Sequence, residues 1–125
     1  FIPQKDGYYD ESVDFIFLRH CLEHSPYPIF SLMEYNRILK QFGKIYIEVP
    51  QPDCERMHEY NLNHYSIMGY NQLNALLIRT GFNVDSFNNF EFNIGGKNPE
   101  TGEDFTAKEK FYCIVATKQR PLDIK

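Results

Sequence analysis

The densest chemistry in this 125-residue chain lies in one short string, His20-Cys21-Leu22-Glu23-His24, where two imidazoles and a carboxylate fall within five positions. Histidine titrates near neutral pH without help from its surroundings and is the commonest general base. The H-x-x-E-H spacing serves a hydrolytic zinc when both imidazoles share a helical face. A third imidazole, His64, comes much later in the chain with Tyr60 and Tyr65 close by. Those three could offer aromatic walls and one proton acceptor to a ligand. Cys21, Cys54 and Cys113 are odd in number and form no C-x-x-C pair. They suggest neither a disulfide framework nor a thiolate-type zinc site, and read as reduced structural thiols.

The surrounding pattern says what must position this chemistry. Residues 13–18, Val-Asp-Phe-Ile-Phe-Leu, form a short and nearly continuous apolar run, expected as a strand buried on both faces, with Arg19 and His20 at its carboxyl end. Over residues 28–42, Ile29, Leu32, Tyr35, Leu39 and Phe42 recur at helical spacing, and Met33 and Ile38 widen the stripe. Pro28 suits the first turn of that helix and Gly43 the position past its end. Residues 44–49 read as a second strand, stopped by Pro50 and Pro52. Strand, helix and strand predict a right-handed βαβ unit with parallel strands.

Residues 51–66 are polar, without period and too long for a simple connection, which marks either a functional loop or a mobile, solvated one. Leu73, Leu76, Leu77 and Thr80 then predict a second helix ended by Gly81. Strands over 82–94 and 111–117, separated by the turn-rich residues 95–102, predict an antiparallel hairpin with a long tip. A turn is expected at Lys5-Asp6-Gly7 and a loose tail after Pro121. On this layout the His20–His24 string straddles a strand end and a Pro-flanked turn rather than a helix, which argues against a zinc peptidase.

Composition bounds the remaining classes. Hydrophobic residues make up 42% and aromatics 16%, enough for a packed core, and the length allows one domain. The net charge of -4, with Lys and Arg scattered, disfavours a nucleic-acid partner. No apolar run approaches the ~20 residues of a membrane span, and Phe1-Ile2-Pro3-Gln4 lacks the form of a signal peptide. The expectation is a cytoplasmic protein with no membrane partner.

Local strings point further. Phe1-Ile2-Pro3, Asp6-Gly7-Tyr8-Tyr9 and Val13-Asp14-Phe15-Ile16 run into the first strand. Cys21-Leu22-Glu23-His24-Ser25-Pro26-Tyr27-Pro28 follows it, and Glu34-Tyr35-Asn36-Arg37-Ile38-Leu39-Lys40-Gln41-Phe42-Gly43-Lys44-Ile45 spans the helix and turn. Val49-Pro50, His64-Tyr65 and Thr80-Gly81-Phe82-Asn83-Val84 complete the series. In order and spacing these resemble the C-terminal half of the class I S-adenosylmethionine-dependent methyltransferase family. The resemblance implies an α/β, Rossmann-like half-sheet, a βαβ unit plus a helix and a C-terminal antiparallel hairpin, three-layered when complete. It implies that residues 1–125 are a partial domain, the family's fourth to seventh strands. Missing is the G-x-G-x-x-G-type turn that approaches the cofactor closely, so these residues alone are expected to bind S-adenosylmethionine weakly and to be inactive by themselves.

The resemblance also implies roles. Arg19, His20 and Cys21 would contact the cofactor, His24 and His64 would be catalytic, and Glu23, Tyr60 and Tyr65 would line the pocket of a small-molecule or sugar-type acceptor. Relatives with E-x-x-E-H and a later His hold a divalent ion; the equivalent set here, His20, Glu23, His24 and His64, is one carboxylate short, so no metal is expected. Glu34 and Arg37 are expected to form a structural ion pair. The alternative reading is a non-catalytic interaction domain that self-associates through the exposed edge of its first strand.

Overall fold

The computed structural model describes residues 8–121. The expected turn at residues 5–7, the Phe1-Ile2-Pro3 string and the tail from Leu122 onward lie outside them. Four strands and two helices follow in the order β1 (Val13–Arg19), α1 (Pro28–Ile38), β2 (Leu39–Pro50), α2 (Tyr70–Arg79), β3 (Phe82–Lys97) and β4 (Asp104–Lys118). The sheet order is β1-β2-β4-β3, with β1 and β2 parallel and β4 antiparallel to both neighbours. Both helices cover one face and touch each other there.

The core lies between the helices and that face. Leu32, Leu73 and Leu77 of the helices meet Ile45, Ile47, Ile114 and Ala116 of the central strands, all at 0% exposure. Burying each large aliphatic side chain contributes about 1.5–3 kcal/mol. Neither helix covers the opposite face, and at its β1 edge that face is open among the described residues, which corrects the expectation of a first strand buried on both sides. In β1 only Leu18 is buried, while Phe15 and Phe17 are 54% and 59% exposed, and Phe17 stacks on Tyr46 at 4.9 Å.

The first helix is shorter than its apolar stripe. It stops at Ile38 because its last carbonyls are taken from outside. Glu11 and Ser12 N–H donate to the Arg37 and Ile38 carbonyls at 2.9 and 2.8 Å, and the buried Lys118 Nζ donates to the Asn36 and Leu39 carbonyls at 2.6 and 2.7 Å. Cationic capping of this kind is favourable at a helix carboxyl end. Leu39 therefore starts β2, opposite Val13, and the register shifts before Phe15 meets Lys44. Phe42, expected on the helix face, has a φ of 64° and is 66% exposed. Gly43 follows because an added Cβ would stand 2.8 Å from the Lys40 carbonyl and 3.0 Å from that of Asp14.

The hairpin is also tighter than expected. Residues 95–97 belong to β3 and pair with 104–106, so only residues 98–103 turn. Phe105 lies over Gly96, where a Cβ would meet its ring at 3.1 Å, and this aromatic cover keeps the glycines in the strand. Before Phe111, over residues 104–110, β4 pairs with β3 but not with β2, so the hairpin projects as a two-stranded arm. The polar loop 51–66 docks on that arm. Gln51 N–H donates to the Lys110 carbonyl at 2.9 Å, and Lys108 N–H to Glu55 Oε2 at 2.6 Å.

Candidate active site at the carboxyl end of the first strand

The end of β1 is held by a carboxylate that sequence reading passed over. Glu48 on β2 is paired with Arg19, and its side chain is only 8% exposed. Arg19 Nε donates to its Oε2 at 3.0 Å, His20 Nε2 stands 2.8 Å from the same oxygen, and Tyr46 Oη donates to Oε1 at 2.8 Å. Burial pushes the Glu48 carboxyl up. The hydrogen bonds from Tyr46 and Arg19, with the His20 and Arg19 charges, outweigh that and hold it below its ordinary value. Burial and the Glu48 bond together raise the Tyr46 hydroxyl well above the usual phenol range.

His20 leaves the strand at a φ of 55°, in the left-handed region that costs a non-glycine residue about 1–2 kcal/mol. The bend is fixed at both ends of the residue, by its N–H donating to the Glu48 carbonyl at 2.8 Å and by its ring on the Glu48 carboxylate. It throws the chain into a single 3-10 turn, Leu22–His24, anchored by Leu22 at 1% exposure. Cys21 at the start of the turn is exposed, its Sγ directed back to the Arg19 carbonyl at 3.3 Å.

The long loop returns to this turn from the other side. Tyr65 and Ser66 N–H both donate to the Glu23 carbonyl, at 2.9 and 3.0 Å, and His24 Nδ1 lies 2.8 Å from the Asn63 carbonyl. His64 Nδ1 lies 2.9 Å from the His58 carbonyl, and the His24 and His64 rings stand edge to face at 4.8 Å. A carbonyl only accepts, so both Nδ1 atoms carry a proton, and in the neutral tautomer this selects it is Nε2 that keeps the lone pair. The Glu23 side chain is 2% exposed; its Oε1 has no hydrogen-bond partner among the described residues, and Oε2 has only His20 Nδ1 at 3.6 Å. Donor atoms of Glu23, His24 and His64 all lie within 4.8 Å of one another.

The structure thus assembles Glu23, His24 and His64 across some forty residues of sequence, with the Tyr65 backbone tied to Glu23. His20 is a neighbour of the cluster rather than a member, since Glu48 engages its Nε2. His20 and His24 do not share a helical face, which removes the geometry a zinc peptidase needs. Tyr60 is 77% exposed and lines a cleft with Asp53, Cys54, Met57 and Glu59, of which neither His24 nor His64 is a wall. Glu34 and Arg37 pair as expected, with Asp10 as a further partner at 2.7 Å. Glu48 left a faint signal, a carboxylate inside the apolar run Ile45-Tyr46-Ile47-Glu48-Val49.

Could these residues hold S-adenosylmethionine? Arg19, His20 and Cys21 stand at the carboxyl end of a parallel strand, where open α/β sheets bind ligands. They fit one edge of such a crevice. A facing glycine-rich turn would have to come from residues outside these 125, which contain no G-x-G-x-x-G spacing.

Comparisons with known proteins bear on the same assignment. Residues 4–47 match the sequence model of the methyltransferase domain family. No curated protein matches the chain significantly. Among solved structures, a protein of Bacillus halodurans described as a candidate methyltransferase superposes with a TM-score of 0.74 at 14% identity, covering 90% of this chain and 67% of that one. A SAM-dependent methyltransferase of Archaeoglobus fulgidus gives 0.62 at 17% identity, covering 89% and 62%. The 1,6-didemethyltoxoflavin-N1-methyltransferase of Burkholderia thailandensis gives 0.61 at 16%, covering 92% and 48%. Identities this low speak to the fold, and the chain spans about two thirds of those proteins' length or less. The chain therefore carries the methyltransferase-domain signature over residues 4–47 and part of the Rossmann-like fold of the S-adenosylmethionine-dependent methyltransferases.

Proposed function

We propose that these residues form the acceptor side of an S-adenosylmethionine-dependent methyltransferase site, acting on a hydroxyl or amine of a small-molecule or sugar-type acceptor. The observation that carries this reading is the anchoring of His24 and His64 through Nδ1, which leaves two bare Nε2 atoms beside the unpartnered oxygen of Glu23. S-adenosylmethionine, when bound, supplies an electrophilic methyl on a sulfonium. Displacement there needs alignment and exclusion of water more than acid or base strength. Glu23 Oε1 is closed off from solvent, so it accepts a hydrogen bond from the acceptor and orients it only once the loop anchored on the Glu23 carbonyl shifts to admit it. One imidazole Nε2 takes the acceptor's proton as its oxygen or nitrogen attacks, a contribution of typically 10²–10⁴-fold. Tyr65 supplies an aromatic wall, while Tyr60, in its separate cleft earlier in the loop, is left outside this pocket. Arg19, His20 and Cys21 line the cofactor edge, with Glu48 holding the first two. The Burkholderia thailandensis structure, which holds 1,6-didemethyltoxoflavin and S-adenosylhomocysteine, supports a small acceptor.

Two measurements test this. Titration calorimetry of residues 1–125 with S-adenosylhomocysteine should give weak binding or none, and tight binding would overturn the one-sided site. In the protein as expressed from its natural reading frame, His64→Gln and His24→Gln should lower kcat for methyl transfer from tritiated S-adenosylmethionine with little change in cofactor affinity. Unchanged kcat in both variants would sink the proton-transfer role. A second reading, self-association through the first strand, is favoured by the exposed Phe15 and Phe17 on a strand paired only with β2 among the described strands. Light scattering that shows a clean monomer would remove it.

A further inference from the structure

A second donor cluster borders the first, the His58 and His64 rings standing 5.6 Å apart, and no role in methyl transfer uses it. Cys54 and His58 come from the loop, Glu109 from β4, and their donor atoms all lie within 4.8 Å of one another. Cys54 is buried, and the His58 and Glu109 side chains are 17% and 13% exposed. His58 Nε2 faces Glu109 Oε1 at 2.5 Å, while Glu109 Oε2 is approached by Arg56 Nε at 3.6 Å.

We infer that Cys54, His58 and Glu109 form a binding site for a thiophilic divalent cation of the zinc class, which clamps the loop to the hairpin arm. The donor set is sulfur, nitrogen and one carboxylate, the mixture that zinc takes and that magnesium or calcium does not. Tetrahedral zinc with these bond lengths holds its ligand atoms roughly 3.5 Å apart, so the observed cluster needs adjustments of about 1 Å, chiefly the opening of the His58–Glu109 contact. On binding, the Cys54 thiol gives its proton to solvent and His58 presents a bare ring nitrogen to the ion. Thiolate and carboxylate then balance the two positive charges. Arg56, on the other carboxylate oxygen, is placed to orient Glu109 as an outer partner.

Of the three ligands, Cys54 lines the cleft of about 310 Å³ shared with Asp53, Met57, Glu59 and Tyr60, and water entering on that side would complete the coordination. The loop is already held to the arm at this point by the bond from Lys108 N–H to Glu55 Oε2, and is braced internally by that from Asp53 N–H to Glu59 Oε2, both at 2.6 Å. A consequence reaches the first cluster, and it alone rests on the methyl-transfer reading. The His58 carbonyl holds His64 Nδ1, so an ion on the His58 ring would also fix His64.

Zinc and cobalt(II) binding to the purified protein test the site. One ion per chain is expected by elemental analysis, with a thiolate-to-cobalt charge-transfer band in the near ultraviolet and a rise in Tm on adding zinc. Cys54→Ser should abolish the band, and Glu109→Gln should weaken zinc by more than the about 10–100-fold that loss of an outer partner costs. Circular dichroism confirms that each variant is folded, and Glu109→Gln stands in if Cys54→Ser is not. Cys21→Ser and Glu23→Gln should leave both readouts in place. Substoichiometric zinc overturns the proposal, as does a cobalt band that survives Cys54→Ser, or binding lost in Glu23→Gln but kept in Glu109→Gln. None of these readouts involves methyl transfer, so the clamp stands or falls apart from the enzymatic assignment.

Discussion

Replacing Glu23 with methionine should make this protein more stable while disabling its candidate site. The Glu23 side chain is 2% exposed and its Oε1 has no partner among the described residues. A buried acceptor left unsatisfied costs about 1–3 kcal/mol. Against that stands one ion-pair contact, 3.6 Å to a His20 ring that is itself 40% exposed, which screening reduces to about 0–1 kcal/mol. The backbone anchors from Tyr65 and Ser66 go to the Glu23 carbonyl and survive the change. Methionine has the same reach and no polar group to satisfy. The balance is a gain of about 1.5 kcal/mol at the middle of both ranges, or a Tm higher by about 6 °C at this chain length. Calorimetric or circular-dichroism melts of Glu23→Met against the parent measure it, with methyl transfer by the natural protein as the second readout. A variant less stable by about 1 kcal/mol would refute the reasoning, because it would mean that the carboxylate has a stabilising partner.

Glu48 should give the protein an acid limb. Its carboxyl is held below its ordinary 4.5 in the folded chain, so the folded state binds fewer protons than the unfolded one as pH falls. That stability is complete above the unfolded value and is lost as pH drops through the folded one; urea denaturation from pH 6 downward should show Glu48→Gln with a flatter decline than the parent (pH range roughly as set by the carboxyl reference values). Gly81→Ala should be severe, since φ is +89° and a Cβ would stand 2.6 Å from the Arg120 carbonyl and 2.7 Å from Asn36 Nδ2. Strain of about 1–2 kcal/mol adds to damage to the Asn36 bonds to Thr80 and Arg120, worth about 0.5–1.5 kcal/mol each. Gly102→Ala, with a φ of +74° but nothing within 4 Å, should show the strain alone, and equal losses of Tm would refute the packing account. Tyr112→Phe removes a buried hydroxyl bonded to the Met68 carbonyl at 2.5 Å and should cost about 1–2 kcal/mol in thermal melts.

Much of the frame was legible in the order of residues, because its signals are local. Pro28 at the first helical turn, Gly81 after the second helix and the near-continuous run before Arg19 each state a backbone preference that the fold keeps. Where the reading overshot, a distant group intervened. The stripe through Leu39 and Phe42 is helical in period, yet Lys118 and the residues at 11–12 claim the carbonyls that would extend the helix. The glycines at 95 and 96 look like a turn, yet Phe105 from the facing strand covers them. The exposure of Phe15 and Phe17 could not be read from an apolar run, since burial depends on which layers lie above and below a strand.

The same division holds for the chemistry. Sequence by itself determined that imidazoles and a carboxylate gather at the end of a strand, because neighbours in the chain remain neighbours in space. Only the tertiary structure decided which of them work together. It turned His20 onto Glu48, brought His64 back to His24 and Glu23, and set Cys54 and His58 against Glu109 on another strand. The first meeting comes from the pairing of β1 with β2 and the others from a loop pinned to a hairpin arm, through hydrogen bonds between residues tens of positions apart, beyond the reach of periodicity or spacing.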